Sequence, residues 1–440
     1  MSELANKPLC VISAPIFSRS GYGGLATDIA KSIVRYGKWD VVIYPTKWGG
    51  CPSKTLEEQI TTDEDKALLA KFAKAPLSRQ PDIFVQVSIP NECNPIGKYN
   101  IIVTAGIETT VPSAAFIEGV NRSNLTIVTS TFVKDVFEKA NFTKQFPDGR
   151  TEILRTTKPI DVCFWGIDTN IFKKTDEKIQ SIDDVLNNIP TDFNFFFCGQ
   201  WTNHSTVGAD RKDIGNLIKT FLTAFKDKEL QPGLILKTSG VNFSVVDRTE
   251  TLRKIKEVQD SVSGKLPPVY LIHGELTSEE MNALINHPKI KCGVTATHGE
   301  GFGMPILEFT TSGKPILAPN WSGHLDFLNP DYSMLLDGDV KQIAPESANE
   351  WLIKESGWFY VNHSKLEEKM KSAFNFYSKK WLDNSELLRL ENIEKFNLKK
   401  MDEKLWGILD KYVPQFAVEQ KIVLPKLKKI ELPKLSKIDK

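Results

Sequence analysis

Short β-rich runs alternate with helical patterns along this 440-residue chain, and the alternation starts afresh near its middle. In the first half the predicted strands lie at 9–13, 40–44, 83–87, 100–104 and 125–129. After a polar stretch at 173–188, a second series of predicted strands lies at 193–198, 233–237, 269–272, 290–294 and 315–318. Because strands that alternate with helices form parallel sheets covered on both faces, the chain is predicted to contain two consecutive α/β units.

The length supports this division, since 440 residues exceed what one hydrophobic core usually holds. The predicted parts are a first domain at 1–175, a second domain at 190–380, helices at about 385–413 that pack back on the first domain, and a basic tail at 414–440. Leu-Pro-Lys-Leu occurs twice in this tail, at 424–427 and at 432–435. The tail lysines suit contact with phosphates, although a solvated tail is an equal alternative.

The bulk composition excludes several classes of protein. A net charge of +1 gives no overall argument for nucleic acid or an anionic membrane. The six cysteines are far apart and form no Cys-x-x-Cys pair, so we expect free thiols in a reducing compartment. No apolar run approaches the roughly 20 residues of a membrane span, and the amino terminus lacks a signal-peptide pattern. We therefore expect a cytoplasmic protein.

The segment 297–319, THGEGFGMPILEFTTSGKPILAP, combines a tight turn with the start of a helix. Gly299, Gly301 and Gly303 follow a predicted strand and permit a turn that leaves backbone amides uncovered. Pro305 suits the first turn of a helix, and Gly313 suits its end. Free amides at a helix start favour an anion or a ligand rich in hydroxyls.

Two carboxylates bracket this turn, Glu300 in the loop and Glu308 in the helix. Carboxylates accept paired hydrogen bonds from the vicinal diols of sugars and riboses. Taken by spacing alone, the alternative that both are simply favourable charges near a helix start has equal weight.

The run Glu300-Gly-Phe-Gly-Met-Pro-Ile-Leu-Glu308 resembles the E-x7-E motif of retaining GT-B glycosyltransferases, especially family 4. Further segments resemble that family at the expected spacing, with 193–330 matching most clearly: 274–281, 312–318, and Gly166-Ile-Asp168 with Phe172. The resemblance implies an α/β GT-B fold, in which two Rossmann-like domains face each other across a deep cleft. The C-terminal helices of such a fold cross back to the N-terminal domain.

The resemblance also implies roles in binding a nucleotide-sugar donor, most simply a UDP-sugar. Glu308 would bind the ribose hydroxyls, and Glu300 would hold the donor sugar together with the backbone at Gly301, Phe302 and Gly303. The nucleobase would lie against His273, Gly274 and Leu276, and His298 would stack on or hydrogen-bond the donor.

A basic pair, Arg211 and Lys212, resembles the element that neutralises the donor diphosphate in that family. The sequence departs from the family at Gln200, where an arginine is frequent. Arg211 is expected to substitute for it, because a guanidinium chelates phosphate oxygens. The alternative is that the pair caps a surface helix.

On the first domain, Ser20-Gly-Tyr-Gly-Gly24 resembles the glycine loop that GT-B enzymes place opposite the donor phosphates. Gly23 and Gly24 are the predicted contacts, with a purely structural turn as the alternative. No histidine precedes His204, so a histidine of the first domain cannot serve the reaction. Glu108 is the predicted group that orients or deprotonates the acceptor hydroxyl, and Glu92 is an alternative.

The expected activity is hexosyl or pentosyl transfer with retention of configuration, without a cofactor or a metal ion. A metal-dependent GT-A enzyme is disfavoured because Asp63-Glu-Asp65 lies in a helical stretch and Asp337-Gly-Asp339 in a turn. A sugar-nucleotide epimerase and a non-catalytic sugar-nucleotide-binding module are the remaining rivals.

The segments at 199–221 and 298–328 resemble uncharacterised glycosyltransferases of tailed bacteriophages. That resemblance implies hydroxymethylated pyrimidine in double-stranded DNA as the acceptor, and the host cytoplasm as the location. A polysaccharide, lipid or protein acceptor is the alternative.

Overall fold

The computed structural model describes residues 7–55, 58, 60–202, 207–240 and 242–416. The Leu-Pro-Lys-Leu repeats and nearly all of the predicted tail at 414–440 therefore lie outside the described residues. All six cysteines are free thiols. None of the described helices is long and apolar enough to cross a bilayer.

The first half of the chain forms a parallel six-stranded sheet with the order β2-β1-β3-β4-β5-β8. Its strands are β1 (Leu9–Ala14), β2 (Asp40–Pro45), β3 (Ile83–Val87), β4 (Tyr99–Thr104), β5 (Leu125–Val128) and β8 (Ile160–Val162). The strands β6 (Asn141–Gln145) and β7 (Thr151–Arg155) form a separate antiparallel pair. The central strands are runs of β-branched and apolar residues because both faces of a parallel sheet are buried.

Among the described residues, the first unit contains four helices: α1 (Gly21–Tyr36), α2 (Asp63–Leu69), α3 (Ala114–Arg122) and α4 (Thr131–Lys139). A 3₁₀ turn spans Pro90–Glu92. Helix α1 begins three residues before the predicted start at 24, because the Ser20 hydroxyl accepts a hydrogen bond from the Gly23 amide and caps the helix. Ser130 caps α4 in the same way, as its sequence position predicts.

The second half forms another parallel six-stranded sheet, with the order β11-β10-β9-β12-β13-β14. Its strands are β9 (Asn194–Cys198), β10 (Gly233–Lys237), β11 (Val269–Ile272), β12 (Ile290–Val294), β13 (Ile316–Pro319) and β14 (Met334–Leu336). This is the 3-2-1-4-5-6 order of doubly wound sheets, in which the strand order reverses between β9 and β12. Ligands of such sheets bind outside the carboxyl ends of the strands at that reversal.

The helices of the second half are α5 (Gln180–Asn187), α6 (Ile214–Phe225), α7 (Val245–Asp260), α8 (Ser278–Asn286), α9 (Met304–Thr310), α10 (His363–Asn375), α11 (Lys379–Lys395) and α12 (Leu398–Tyr412). An antiparallel pair, β15 (Gly338–Gln342) and β16 (Gly357–Val361), precedes α10. Two 3₁₀ turns span Gly323–Asp326 and Pro345–Ser347.

Two local expectations need correction. The predicted linker at 173–188 contains α5, whose Ile182 and Leu186 are buried. The helix predicted from 211 begins only at Ile214, because Asp213 adopts a left-handed backbone with φ of 51°. Arg211 and Lys212 therefore lie in a loop before the helix, at the carboxyl side of β9.

The C-terminal helices connect the two halves of the chain. The buried Asn392 of α11 donates to the Thr310 hydroxyl at 3.0 Å, so α11 packs on the second unit. Helix α12 packs on α1 of the first unit, where Arg35 pairs with Asp402. The crossing takes place at Phe396, whose carbonyl accepts from the Ile167 amide, and not at the expected 385, which lies inside α11.

Candidate functional site

A cavity of about 590 Å³ lies between the carboxyl ends of the two sheets. The first unit lines it with the segments after β1, β2, β4, β5 and β8, and the second unit with the segments after β9, β10 and β12. The reversal between β9 and β12 thus opens into this cavity, which is where a doubly wound sheet places its ligand. We call this space the cleft.

Four charged side chains form one cluster in the cleft. Lys212 Nζ lies 2.5 Å from Glu300 Oε1, and Arg211 Nη1 lies 3.1 Å from Glu300 Oε2. Arg211 Nη1 also lies 3.5 Å from Glu108 Oε1, which follows β4 of the first unit. The structure therefore brings together the four residues predicted to be catalytic, and Arg211 links carboxylates from the two units.

The charge state of Glu300 follows from this cluster. Its side chain is nearly buried, and burial alone would raise the pKa of its carboxyl group. The positive charges of Lys212 and Arg211 outweigh burial and hold this pKa at about 2. Glu300 is consequently a carboxylate at neutral pH.

The loop after Glu300 offers free backbone donors. Within the described part of the chain, no acceptor hydrogen-bonds the amides of Gly301, Phe302 and Gly303, which all line the cleft. Gly303 has φ of 99° and caps α9, a conformation that favours glycine. These three amides match the uncovered turn predicted from the sequence.

Gly299 and Gly301 have a second purpose, because the first unit packs directly on them. A Cβ on Gly299 would lie 2.6 Å from the carbonyl oxygen of Glu108. A Cβ on Gly301 would lie 2.3 Å from the carbonyl oxygen of Ala105. The Gly301 carbonyl also accepts from the Ser130 hydroxyl at 2.6 Å. Both glycines thus permit the close approach of the two units.

Glu308 lies in α9 behind this loop. No hydrogen bond or ion pair reaches its carboxylate from any residue that the structure describes. Burial, with a smaller contribution from Asp28, raises the pKa of Glu308 to about 8. An unpartnered, desolvated carboxyl group is available to accept hydrogen bonds from a ligand diol.

The expected contact between the donor and the His298 ring requires correction. His298 is fully buried, and its ring stacks on Trp358 at a centroid distance of 4.9 Å. Its Nδ1 lies 2.8 Å from the Phe359 carbonyl and its Nε2 lies 3.1 Å from the Gly208 carbonyl. Because both ring nitrogens already face backbone carbonyls, His298 supports the loops beside the cleft.

The predicted nucleobase segment lies behind the cleft wall. His273, Gly274 and Leu276 are absent from the residues that line the cleft. Lys237 lines the cleft next to this segment, and its Nζ donates a hydrogen bond to the Gly274 carbonyl at 2.7 Å. The His273 ring lies 2.9 Å from Asp247 and is buried. A nucleobase contact at this segment stays a prediction.

The glycine-rich segment 20–24 lines the cleft with other residues than the predicted Gly23 and Gly24. A Cβ on Gly23 would lie 2.0 Å from the Ser18 carbonyl oxygen, and one on Gly24 would lie 2.7 Å from the Trp165 ring. Both glycines therefore serve packing. Ser20 and Gly21 line the cleft instead.

The cleft-lining residues that sequence reasoning missed include Tyr22, Trp48 and Lys237. Lys237 ends the apolar strand β10, and a charge at that end of a parallel strand is a usable signal. Tyr22 lies in the first turn of α1 and Trp48 in the loop after β2, and no local sequence pattern indicates that they are in contact.

The two Asp-x-Asp strings serve local structure. Asp65 accepts from Thr62 and closes a capping box at the start of α2. Asp337 and Asp339 flank Gly338 at the start of β15. Among the described residues there is no group of three or more metal-binding side chains.

No protein-family model and no curated protein matches this sequence. Solved structures do match it. Anabaena HepE in complex with UDP and glucose is 12% identical, with a TM-score of 0.55 over 92% of this chain and 100% of that chain. Sucrose-phosphate synthase from Thermosynechococcus elongatus is 12% identical, with a TM-score of 0.57 over 92% of this chain and 99% of that chain. The chain shares its fold with these proteins. The fold is GT-B.

The trehalose-6-phosphate synthase OtsA is likewise similar, at 11% identity and a TM-score of 0.58 over 93% of this chain and 100% of that chain. These matches run over nearly the whole length of each protein. The GT-B cleft of this chain is thus bounded by Glu108, Arg211, Lys212, Glu300 and the amides of 301–303.

Proposed function

We propose that the protein is a glycosyltransferase that moves a sugar from a UDP-sugar to a hydroxyl acceptor. The observation that carries the proposal is the loop 301–303, whose three free amides line one cleft together with Arg211 and Lys212. The unpartnered carboxyl group of Glu308 lies in α9 behind this loop and is not part of the cleft lining. A nucleotide sugar has the complementary groups: hydroxyls, a diphosphate and a ribose diol. The similar HepE structures in complex with UDP and with UDP-glucose support this donor class.

The charged side chains and the free amides receive the following roles in this proposal. Glu308 accepts hydrogen bonds from the ribose hydroxyls, and Glu300 with the 301–303 amides holds the donor sugar. Lys212, Arg211 and Lys237 neutralise the diphosphate as negative charge develops on it. With these three cations in the cleft lining, which also includes Arg19, the proposed reaction needs no metal ion.

We propose that transfer retains the configuration of the sugar. The bond between the anomeric carbon and the diphosphate oxygen breaks, and the acceptor oxygen bonds to the same face of that carbon. The acceptor proton passes to the departing diphosphate oxygen. Glu108 orients the acceptor from the first unit, where its ion pair with Arg211 at 3.5 Å fixes the position of its side chain.

The experiment is a turnover assay with a panel of UDP- and GDP-sugars, with and without acceptors. Lys212→Ala should lower transfer by roughly 100-fold, the scale for losing one group that stabilises transition-state charge. Lys219→Ala is the matched control, since Lys219 lies exposed on the adjoining helix α6. Full activity of Lys212→Ala would refute the assignment of the phosphate site. Binding of UDP-sugars without turnover would indicate a binding module.

For the acceptor we propose hydroxymethylated pyrimidine in DNA, supported by the resemblance to enzymes of tailed bacteriophages. The protein is incubated with UDP-sugars and DNA that contains hydroxymethylcytosine, and the DNA is then digested to nucleosides. The modified nucleoside should gain the mass of one sugar residue. No mass gain would refute the DNA acceptor and direct attention to polysaccharide, lipid and protein acceptors.

A further inference from the structure

Two aromatic side chains form a stacked pair in the cleft, on the wall opposite the 301–303 loop. The rings of Tyr22 and Trp48 lie 4.0 Å apart between centroids and are inclined by 21°. Both side chains line the cleft and are only partly buried. Tyr22 opens helix α1, and Trp48 lies in the loop that follows β2. We call them the aromatic pair.

The aromatic pair is held in place by polar contacts behind it. The Tyr22 hydroxyl lies 2.9 Å from the Thr104 hydroxyl and accepts from the Ala105 amide at 3.1 Å. These bonds tie the tyrosine ring to the end of β4, three residues before Glu108. A rigid aromatic surface costs little conformational entropy when a ligand binds to it.

The loop that carries Trp48 is anchored at both ends. The Thr46 amide donates to the Ala14 carbonyl at 2.9 Å, and the Arg19 amide donates to the Pro52 carbonyl at 2.8 Å. Between these anchors, Gly49 and Gly50 have no heavy atom near the position of a Cβ, so the tip of the loop projects into open space. Trp48 therefore stands at the mouth of the cleft on a fixed base.

The groups proposed to bind the nucleotide-sugar donor all belong to the opposite, second unit. Lys212, Lys237, Glu308 and the free amides of 301–303 come from the second unit. The aromatic pair and Glu108 come from the first unit. The aromatic pair thus lines the cleft from the same unit as Glu108 and opposite the groups proposed to bind the donor, which leaves this side of the cleft for the acceptor.

We propose that Tyr22 and Trp48 form the acceptor subsite, and that the acceptor presents a six-membered ring to them. This inference rests on the proposed glycosyl transfer and names the chemical class of its second substrate. The apolar C–H face of a pyranose packs on the negative face of an aromatic ring, and the π face of a pyrimidine stacks on the same surface in an offset arrangement.

The test separates acceptor binding from donor use. UDP release without acceptor measures the donor side, and transfer at varied acceptor concentration gives acceptor KM and kcat. Methyl pyranosides and 5-hydroxymethyl-2′-deoxycytidine serve as the two ring acceptors and identify the source of the ring. Trp48→Ala should raise the KM of the ring acceptor roughly tenfold, in line with the loss of one stacking contact.

Three variants serve as controls. Trp48→Phe retains an aromatic face and should restore most of the acceptor affinity. Tyr22→Phe retains the ring but removes its hydroxyl, so we expect a smaller rise in acceptor KM. Phe376→Ala removes an aromatic side chain that is 69% exposed and absent from the cleft lining. This substitution should change neither the KM for the donor nor the KM for the acceptor.

The outcomes distinguish this inference from the proposed function. An unchanged acceptor KM in Trp48→Ala would overturn the inference, as would an equal loss of donor turnover without acceptor. Equal use of a linear alcohol and of ring acceptors by the wild-type protein would overturn it as well. Absence of UDP release from every UDP-sugar with the wild-type protein would refute the proposed function itself.

Discussion

The buried carboxylate of Glu300 balances two partly buried cations, so replacing it with glutamine tests the electrostatics of the whole cleft. The side chain is nearly isosteric, but it leaves Lys212 and Arg211 without the carboxylate that lies 2.5 Å and 3.1 Å from them. Removing one partner of a buried ion pair leaves an uncompensated charge, at a cost of about 3–5 kcal/mol. We therefore expect Glu300→Gln to lower the free energy of unfolding at pH 7.

The pKa of Glu300 gives an independent magnitude. A carboxyl group whose pKa falls from 4.5 to about 2 on folding contributes about 3 kcal/mol at pH 7, at ~1.4 kcal/mol per pKa unit. Because the pKa is lowered in the folded protein, this contribution is complete above 4.5 and disappears as the pH falls towards about 2. At pH 3 about 1 kcal/mol should remain.

The assay is urea unfolding of both proteins at pH 7 and pH 3, followed by tryptophan fluorescence. The difference between wild type and Glu300→Gln cancels the titration of all groups that they share. Glu229→Gln, at an exposed position, is the control and should change the unfolding free energy little. Equal stability of Glu300→Gln and wild type at pH 7 would refute the reasoning, and so would an equal difference at both pH values.

Two further predictions address the donor carboxylate and the contact between the units. Because the pKa of Glu308 is raised to about 8, its carboxyl group is mostly protonated at pH 7. The affinity of the wild type for UDP should therefore rise between pH 7 and pH 9, whereas Glu308→Gln should bind UDP weakly at both pH values. Calorimetric titration measures both affinities, and parallel pH profiles of the two proteins would contradict the contact between Glu308 and the ribose. Gly301→Ala places a Cβ 2.3 Å from the Ala105 carbonyl oxygen and should lower stability by about 1–3 kcal/mol in thermal unfolding. Gly407→Ala, in open space on helix α12, should instead stabilise by up to ~1 kcal/mol, and an equal effect of both substitutions would count against close packing at Gly301.

Much of the secondary structure could be predicted from local sequence patterns. The apolar strands and the capped helices could be assigned before the structure, because strand and helix periodicity and caps such as Ser130 depend on neighbours in the chain. The turn at 299–303 and its helix start were predictable for the same reason, since Gly303 and Pro305 act on the backbone where they stand. Where a local conformation was unusual, as at Asp213, the predicted helix boundary shifted by three residues.

The sequence by itself thus determined two α/β units and showed that the Glu300 to Glu308 segment follows a strand and runs from a turn into a helix. Only the tertiary structure decided that the His298 ring points away from the cleft and that the backbone of the first unit packs against Gly301. It also decided that Glu108 pairs with Arg211 and that Tyr22 stacks on Trp48. The physical reason is that such contacts join loops from separate strands, and no neighbouring residue encodes which loops meet when two sheets pack.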